Sequence, residues 1–234
     1  MGTGGQALLQ AAELVLGFNA ELMRIVALSL RVSLLAVLLA AAIGLLVGAT
    51  VAVARFPGRR TVIVILNALL GLPSVVVGLI VYLLLSRAGP LGAAGILFTP
   101  AAMVVAQAIL VTPLIAALSR QAVEDAWAEY AEQLNSLGAR PAEAALTLLW
   151  DCRFSLLTIV LAGFGRAVSE VGAVMIVGGN IDGVTRTMTT AIALETSKGD
   201  LPLALALGLV LIGLVLLLNS GAYAIKEAAQ RRYG

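Results

Sequence analysis

Apolar positions run almost without interruption over 25–54, 62–85, 98–118, 154–178 and 201–223. A helix needs about 20 such residues to cross a bilayer, so the pattern predicts five transmembrane helices and an all-α polytopic membrane protein. The first run would be ~45 Å long as a helix, so it tilts or extends past the hydrocarbon. Residues 7–18 are apolar but too short to span, which suits a helix lying in the interface. The expected division is an N-terminal segment 1–24, a transmembrane domain 25–223 and a tail 224–234.

The polar stretch 119–153, SRQAVEDAWAEYAEQLNSLGARPAEAALTLLWDCR, breaks this rhythm. Val123, Ala126, Trp127, Tyr130, Leu134 and Leu137 recur at three- and four-residue steps, one face of a helix. Glu124, Asp125, Glu129, Glu132 and Gln133 take the other side. Gly138 suits the left-handed end of that helix, and Pro141 the first turn of the next. Glu143 then favours the positive end of the second helix, whose short apolar stripe is Ala142, Ala145, Leu146 and Leu149. A helix carried on a Gly-Pro elbow is a shape that docks into a groove; its alternative is a helix resting on lipid. Acidic residues outnumber basic ones between Arg120 and Arg153, which disfavours adsorption to anionic lipid.

Charge placement orients the spans. Arg55, Arg59, Arg60, Arg120, Arg140, Arg153, Lys226, Arg231 and Arg232 share one side of a five-span chain; Arg24, Arg87, Arg186 and Lys198 fall on the other. By the positive-inside rule the larger group is cytoplasmic, so the N-terminus is outside, and the C-terminus and the 119–153 loop are inside.

Breakers lie in several spans. Pro73 stands within GLPSVVVG beside Ser74, and Pro100 and Pro113 mark the third span. They read either as hinges lining a path or as ordinary kinks between packed helices. Gly44 and Gly48, extended by Ala40 and Ala52, make a small-residue stripe for close helix approach.

Composition then removes chemistry. The chain is 61% hydrophobic and 12% charged, and it has no histidine and a single cysteine, Cys152. Histidine-based catalytic triads, HExxH zinc sites, intrachain disulfides and histidine proton relays are excluded. No Gly-Lys dipeptide occurs, so there is no phosphate-binding P-loop. A net charge of +2 gives no reason to expect nucleic acid.

Two ionic residues fall inside the fourth span. Arg166 and Glu170 are four apart and share a helix face with Ser169 nearby; an unpaired charge there costs about 2.5–3.5 kcal/mol or more. They read either as a structural ion pair or as lining for an anion path. Arg31, with Ser29 and Ser33, opens the first span and either snorkels outward or serves a pathway role. The segment GGNIDGVTRTMTTAIALETSKGD carries Asn180, Thr185, Arg186, Thr187, Thr189 and Thr190. Such hydroxyls and backbone N–H groups bind oxyanions modestly, as transport requires. Docking of a substrate-delivering protein and a plain polar loop are the other readings.

Two blocks resemble a known family. Glu132-Gln133-Leu134-Asn135-Ser136-Leu137-Gly138 has the spacing of the EAA-x-x-x-G signature of type I ABC importer permeases. Gln133 and Leu134 replace two alanines, and Trp150-Asp151 stand where that family usually has Leu-Pro. The block 164–208 resembles the oxyanion branch, most closely tungstate-type permeases. The resemblance implies a type I permease fold and a coupling helix. Glu132, Leu137, Gly138, Ala139, Arg140, Pro141, Ala142 and Glu143 would then meet an ATP-binding subunit. It implies a homodimer, two ATP-binding subunits holding ATP and Mg²⁺, an extracytoplasmic oxyanion-binding protein, no cofactor in this chain, and a bacterial or archaeal cytoplasmic membrane. Tungstate is the expected cargo, with molybdate or sulfate as alternatives. A stand-alone secondary carrier would want repeats and coupling-ion ligands, and a membrane enzyme would want paired carboxylates or histidine. A purely structural scaffold would not need the elbow.

Overall fold

The computed structural model describes residues 3–17 and 19–233; Phe18, at the end of the expected interfacial helix, and Met1, Gly2 and Gly234 lie outside the described residues. Every regular element among them is helical: α1 (Thr3–Leu16), α2 (Ala20–Val53), α3 (Arg59–Leu69), α4 (Ser74–Leu85), α5 (Pro100–Ser136), α6 (Pro141–Asp151), α7 (Arg153–Val168), α8 (Gly172–Gly178), α9 (Met188–Lys198) and α10 (Leu201–Tyr233). Three helices, α2, α5 and α10, are long and apolar enough to cross a membrane. Counting α3 with α4 and α6 with α7 as broken spans raises the number to five.

Asn19 sets the start of α2, its Oδ1 accepting the N–H groups of Glu21 at 3.0 Å and Leu22 at 3.2 Å. This is the side-chain capping that opens helices. The helix therefore begins before the expected residue 25, and its 34 residues measure ~51 Å. Three further expectations change. The 62–85 run is two helices, because Pro73 occupies the cap of α4 and cannot continue α3. The 154–178 run breaks between Val168 and Gly172. Pro113, by contrast, lies inside α5, which carries the third span without interruption into the polar stretch up to Ser136.

Packing divides the chain into two compact units. The first comprises Met1–Ala36, Pro73–Gln107 and Gly165–Leu217. In it α4 and α8 lie so close that a Cβ on Gly78 would stand 2.7 Å from Ala173 Cα. Phe98 N–H donates to Val177 O at 3.0 Å, and the Tyr82 and Phe98 rings tilt together at 6.1 Å. Gln107 Nε2 donates to Ala167 O at 2.9 Å, near the end of α7.

The second unit comprises Val37–Leu72, Ala108–Phe164 and Leu218–Gly234. Its seam is the small-residue stripe. A Cβ on Gly44 would meet Ile115 and Thr112 O at 3.0 Å, and one on Gly48 would meet Ala116 O at 2.6 Å. Apolar lipid offers little drive for helices to associate, so backbone approach of this kind supplies the contact. Large apolar side chains of this unit stay exposed along α2, among them Leu38, Ile43 and Leu46.

Candidate functional site

The elbow after α5 is built by its backbone. Gly138 adopts φ +72°, a geometry glycine accepts without strain. Gly138 N–H donates to Asn135 O, and Ala139 N–H to Leu134 O, both at 3.0 Å. Pro141 opens α6, and Glu143 Oε2 reaches back to accept Arg140 N–H at 2.9 Å. Two of the donors a helix start leaves open, or their neighbours, are thus removed or satisfied.

Helix α6 has two apolar sides. Ala144, Ala145 and Leu148 are buried against Ala49, Ala52 and Val53 of α2 and Val123 of α5, ringed by Ala126, Trp127, Tyr130, Leu134 and Leu149. The stripe read along the first helix of the polar stretch, Leu137 excepted, is therefore a mount for the second, and Ala145 and Leu149 belong to that mount rather than to a docking face. What remains outward is Leu137, 82% exposed, Leu146 at 60% and Trp150 at 72%, together with exposed Ala142, Glu143 and Arg140. Exposed apolar patches on a polar loop are the pattern an interaction surface takes. The Arg153 guanidinium lies 5.1 Å over the Trp150 ring and 4.6 Å over Phe154, a cation–π arrangement that fixes the end of this face. Glu132 is exposed, its carbonyl accepting the Ser136 hydroxyl at 2.8 Å.

An arginine fastens the mount. Arg59 Nε donates to Val51 O at 2.7 Å and its Nη2 to Ala52 O at 3.1 Å, covering carbonyls at the end of α2. A cation there also suits the negative end of the helix. The same Nη2 bonds Glu124 Oε1 at 2.8 Å, and Glu124 Oε2 pairs with Arg120. Under the elbow lies a cavity of about 320 Å³ lined by Val53, Arg55, Trp127, Asn135, Ala139 and Pro141. At the turn into α7, which departs from α6 at 78°, burial and then the carboxylates of Asp151 and Asp125 push the Cys152 thiol above its ordinary range.

The candidate path residues fall in the other unit. Arg166 Nη1 pairs with Glu170 Oε2 at 2.9 Å, the arginine side chain 45% exposed and the glutamate only 3%. Glu170 Oε1 also accepts Ala173 N–H at 3.2 Å. The glutamate is thus anchored in the protein, while the arginine keeps an open side. Ser169 is exposed and bonded to Gly165 O at 2.9 Å. Pro73 caps α4 and Ser74 begins it; a Cβ on Gly172 would stand 2.9 Å from Ser74 Oγ, so the starts of α4 and α8 are neighbours.

The hydroxyl segment folds on itself. Thr185, Thr187, Thr189 and Thr190 are all buried. Thr185 Oγ1 donates to Gly178 O at 2.6 Å and accepts Ile181 N–H at 2.9 Å, closing the turn through Gly179, Asn180 and Gly183. Thr190 Oγ1 accepts Thr187 N–H at 3.0 Å, starting α9, and Thr189 Oγ1 donates to Glu170 O at 2.7 Å. Asn180 Nδ2 lies 3.5 Å from Thr190 O, and Arg186 pairs with Asp182 at 3.3 Å. The surface this segment offers is instead Ile181, Asp182, Gly183 and Val184.

Sequence reasoning did not single out Arg59, Glu124 or Trp150 as parts of the elbow. Trp150 stood out only as a departure from a familiar pattern. Arg59 and Glu124 lie 65 residues apart, and no periodicity links them.

No family model matches the chain. It is 41% identical over 218 residues, 91% of this chain and 94% of the relative, to a probable anion ABC transporter permease protein of Haloferax volcanii. It is 41% identical over 217 residues, 93% of this chain and 95% of the relative, to the tungstate uptake system permease protein TupB of Peptoclostridium acidaminophilum. A molybdenum transport system permease protein ModB of Mycobacterium bovis matches at 34% over 163 residues, 64% of this chain and 60% of the relative.

Proposed function

Because the chain belongs to the ABC transporter permease proteins, we propose that it is the membrane-spanning subunit of an ATP-driven importer for a tetrahedral oxyanion, tungstate first. The observation that carries the reading is the elbow: a short helix rooted in an apolar cluster, with Leu137, Leu146 and Trp150 left outward. Two copies of the chain enclose one path, since a single bundle this small leaves little room for an anion and two-fold pairing is the commonest solution. Each copy receives an ATP-binding subunit on its elbow, at residues 132 and 137–143. ATP and Mg²⁺ stay in that subunit, and the chain carries no cofactor and performs no covalent chemistry. An extracytoplasmic oxyanion-binding protein delivers the cargo on the side opposite the elbow.

The stages follow from this division. Residues 1–24 lie outside, 25–223 span the cytoplasmic membrane and 224–234 lie inside, the orientation the arginine distribution favours. ATP binding moves the two elbows, and the spans exchange an outward-open for an inward-open arrangement. Arg166, with Ser169 and the Pro73–Ser74 turn, lines the path; Glu170 holds Arg166 in place. Tungstate is favoured over molybdate by the fuller match to the tungstate uptake relative. Molybdate and sulfate have the same tetrahedral shape and charge, so they are the natural competitors.

The test is tungstate accumulation in vesicles carrying the permease with its ATP-binding subunit. ATP-dependent uptake, lost when residues 138–143 are replaced by a Gly-Ser linker that leaves insertion intact, is the expected result. Uptake driven by an ion gradient without ATP would make the chain a secondary carrier. Competition by molybdate and sulfate in the same assay ranks the cargo, and Arg166→Ala with normal stability and unchanged uptake would remove that arginine from the path.

A further inference from the structure

Helix α2 and the turn before α9 enclose a cavity of about 240 Å³ lined by Glu21, Arg24, Leu28, Arg31, Asp182 and Arg186. Residues 21, 24, 28 and 31 recur at helical steps, so they share one stripe of α2. Ser29 clamps the opposite wall: its Oγ accepts Met188 N–H at 2.7 Å and donates to Ile25 O at 2.8 Å. Arg186, two residues earlier, is thereby held against the stripe. Gly183, at φ +68°, lies beside Arg24, and a Cβ there would make an ordinary contact with Arg24 Nη1 at 3.8 Å.

The charges do not balance. Both carboxylates go to Arg186, Asp182 at 3.3 Å and Glu21 at 3.8 Å, and both are largely exposed. Among the described residues Arg24 and Arg31 have no carboxylate within 4.0 Å. Arg186 is 14% exposed, and its Nε–H is buried with no acceptor. A folded protein gains nothing by gathering three guanidinium groups and leaving a buried donor unused; a bound anion supplies what is missing. The guanidinium fork matches the paired oxygens of a tetrahedral oxyanion. The apolar walls at Ile25, Ala27 and Leu28 raise the strength of such contacts.

We propose that this cavity is a second oxyanion site, distinct from the Arg166 path, which holds the free anion before it enters the path. Arg24 and Arg31 supply the unpaired charge, and Arg186, positioned by Asp182 and Glu21, supplies the buried donor. The recess and the burial of Arg186 Nε favour a small free anion over the side chain of a docked protein. The assignment rests on the oxyanion reading given above.

The experiment is equilibrium dialysis of tungstate against the permease–ATPase complex in phosphatidylcholine nanodiscs, without the binding protein. The wild type binds tungstate with an affinity that falls as salt rises. R24Q/R31Q weakens it about tenfold or more, and R31K, which keeps the charge and loses the fork, weakens it less. Thermal melting confirms that these exposed substitutions leave the fold intact. Unchanged tungstate affinity in R24Q/R31Q overturns the proposal. So does unchanged tungstate affinity combined with lost affinity for the substrate-delivering protein, which would make the cavity a seat for a protein carboxylate. Loss of retained phosphatidylglycerol from mixed nanodiscs, with tungstate unable to displace it from the wild type, would name lipid phosphate as the occupant and overturn it as well. Wild-type uptake of tungstate in vesicles is measured in parallel. Its absence removes the oxyanion importer reading itself; its presence beside an unresponsive dialysis removes only the cavity.

Discussion

Residues 137–150 and 178–190 are polar interruptions of similar length, each entered through a glycine with positive φ, and they arrive at different ends. The first keeps Leu137, Leu146 and Trp150 in the open and roots itself through Ala144, Ala145 and Leu148. The second buries Thr185, Thr187, Thr189 and Thr190 and leaves few polar groups for anything else. Charge does not make the difference, since each segment carries one arginine and one carboxylate: Arg140 and Glu143 in the first, Asp182 and Arg186 in the second. Hydroxyls do: the first has Thr147 alone, the second Thr185, Thr187, Thr189 and Thr190. A threonine hydroxyl can donate to one backbone carbonyl and accept from one N–H, so a hydroxyl-rich segment goes inside wherever backbone turns supply those groups.

The contrast is broken most forcefully at Leu148. Leu148→Ala opens a cavity in the mount and lowers stability by about 2–5 kcal/mol, read as an earlier melt of the purified complex. Leu146→Ala, on the outward side, leaves the melt unchanged and weakens ATPase association in a pull-down. Equal melting shifts for the two would mean that α6 has no distinct mount and face.

Thr185→Val tests the closed segment. It strands Gly178 O and Ile181 N–H together, so it costs about 1–3 kcal/mol, whereas a threonine serving only a ligand would leave the melt alone. A smaller effect is expected at Glu124→Gln. Its side chain is 38% exposed, so losing the pairs with Arg59 and Arg120 costs at most about 1 kcal/mol, and less in high salt.

The smallest effect is chemical. With its thiol held above the ordinary range by burial and by Asp151 and Asp125, Cys152 is almost wholly protonated near neutral pH. The thiolate is the form that reacts. Alkylation by iodoacetamide is therefore slow at neutral pH and accelerates as pH rises through the raised value. Asp151→Asn moves that acceleration to lower pH, and an unchanged profile would remove the carboxylate from the explanation.

Much of this was legible in the chain. The elbow at Gly138–Pro141 follows from glycine and proline chemistry alone, and the Gly44–Gly48 seam follows from side-chain size. Pro73 is legible as a breaker but not as the end of one helix and the cap of the next, and the break after Val168 less so, because an apolar run has the same composition whether or not it is continuous. The burial of the threonines was not legible at all. It depends on carbonyls such as Glu170 O, 19 residues from Thr189, and no local pattern records which acceptor a hydroxyl will meet. Arg24 and Arg31 could be placed on one stripe from spacing, but Arg186 joins them only in the fold, through the Ser29–Met188 bond and its own pair with Glu21.

Arg59 carries a consequence for biogenesis. During insertion an arginine beside a span acts only as a charge that resists translocation, and a lysine would serve equally. After folding, the same residue is a planar fork reaching two α2 carbonyls and Glu124, where a lysine would not fit as well. One side chain is thus read twice, first by the insertion machinery and then by the finished protein. Arg59→Lys separates the two readings: the chain enters the membrane the right way round, and the end of α2 is left unfastened.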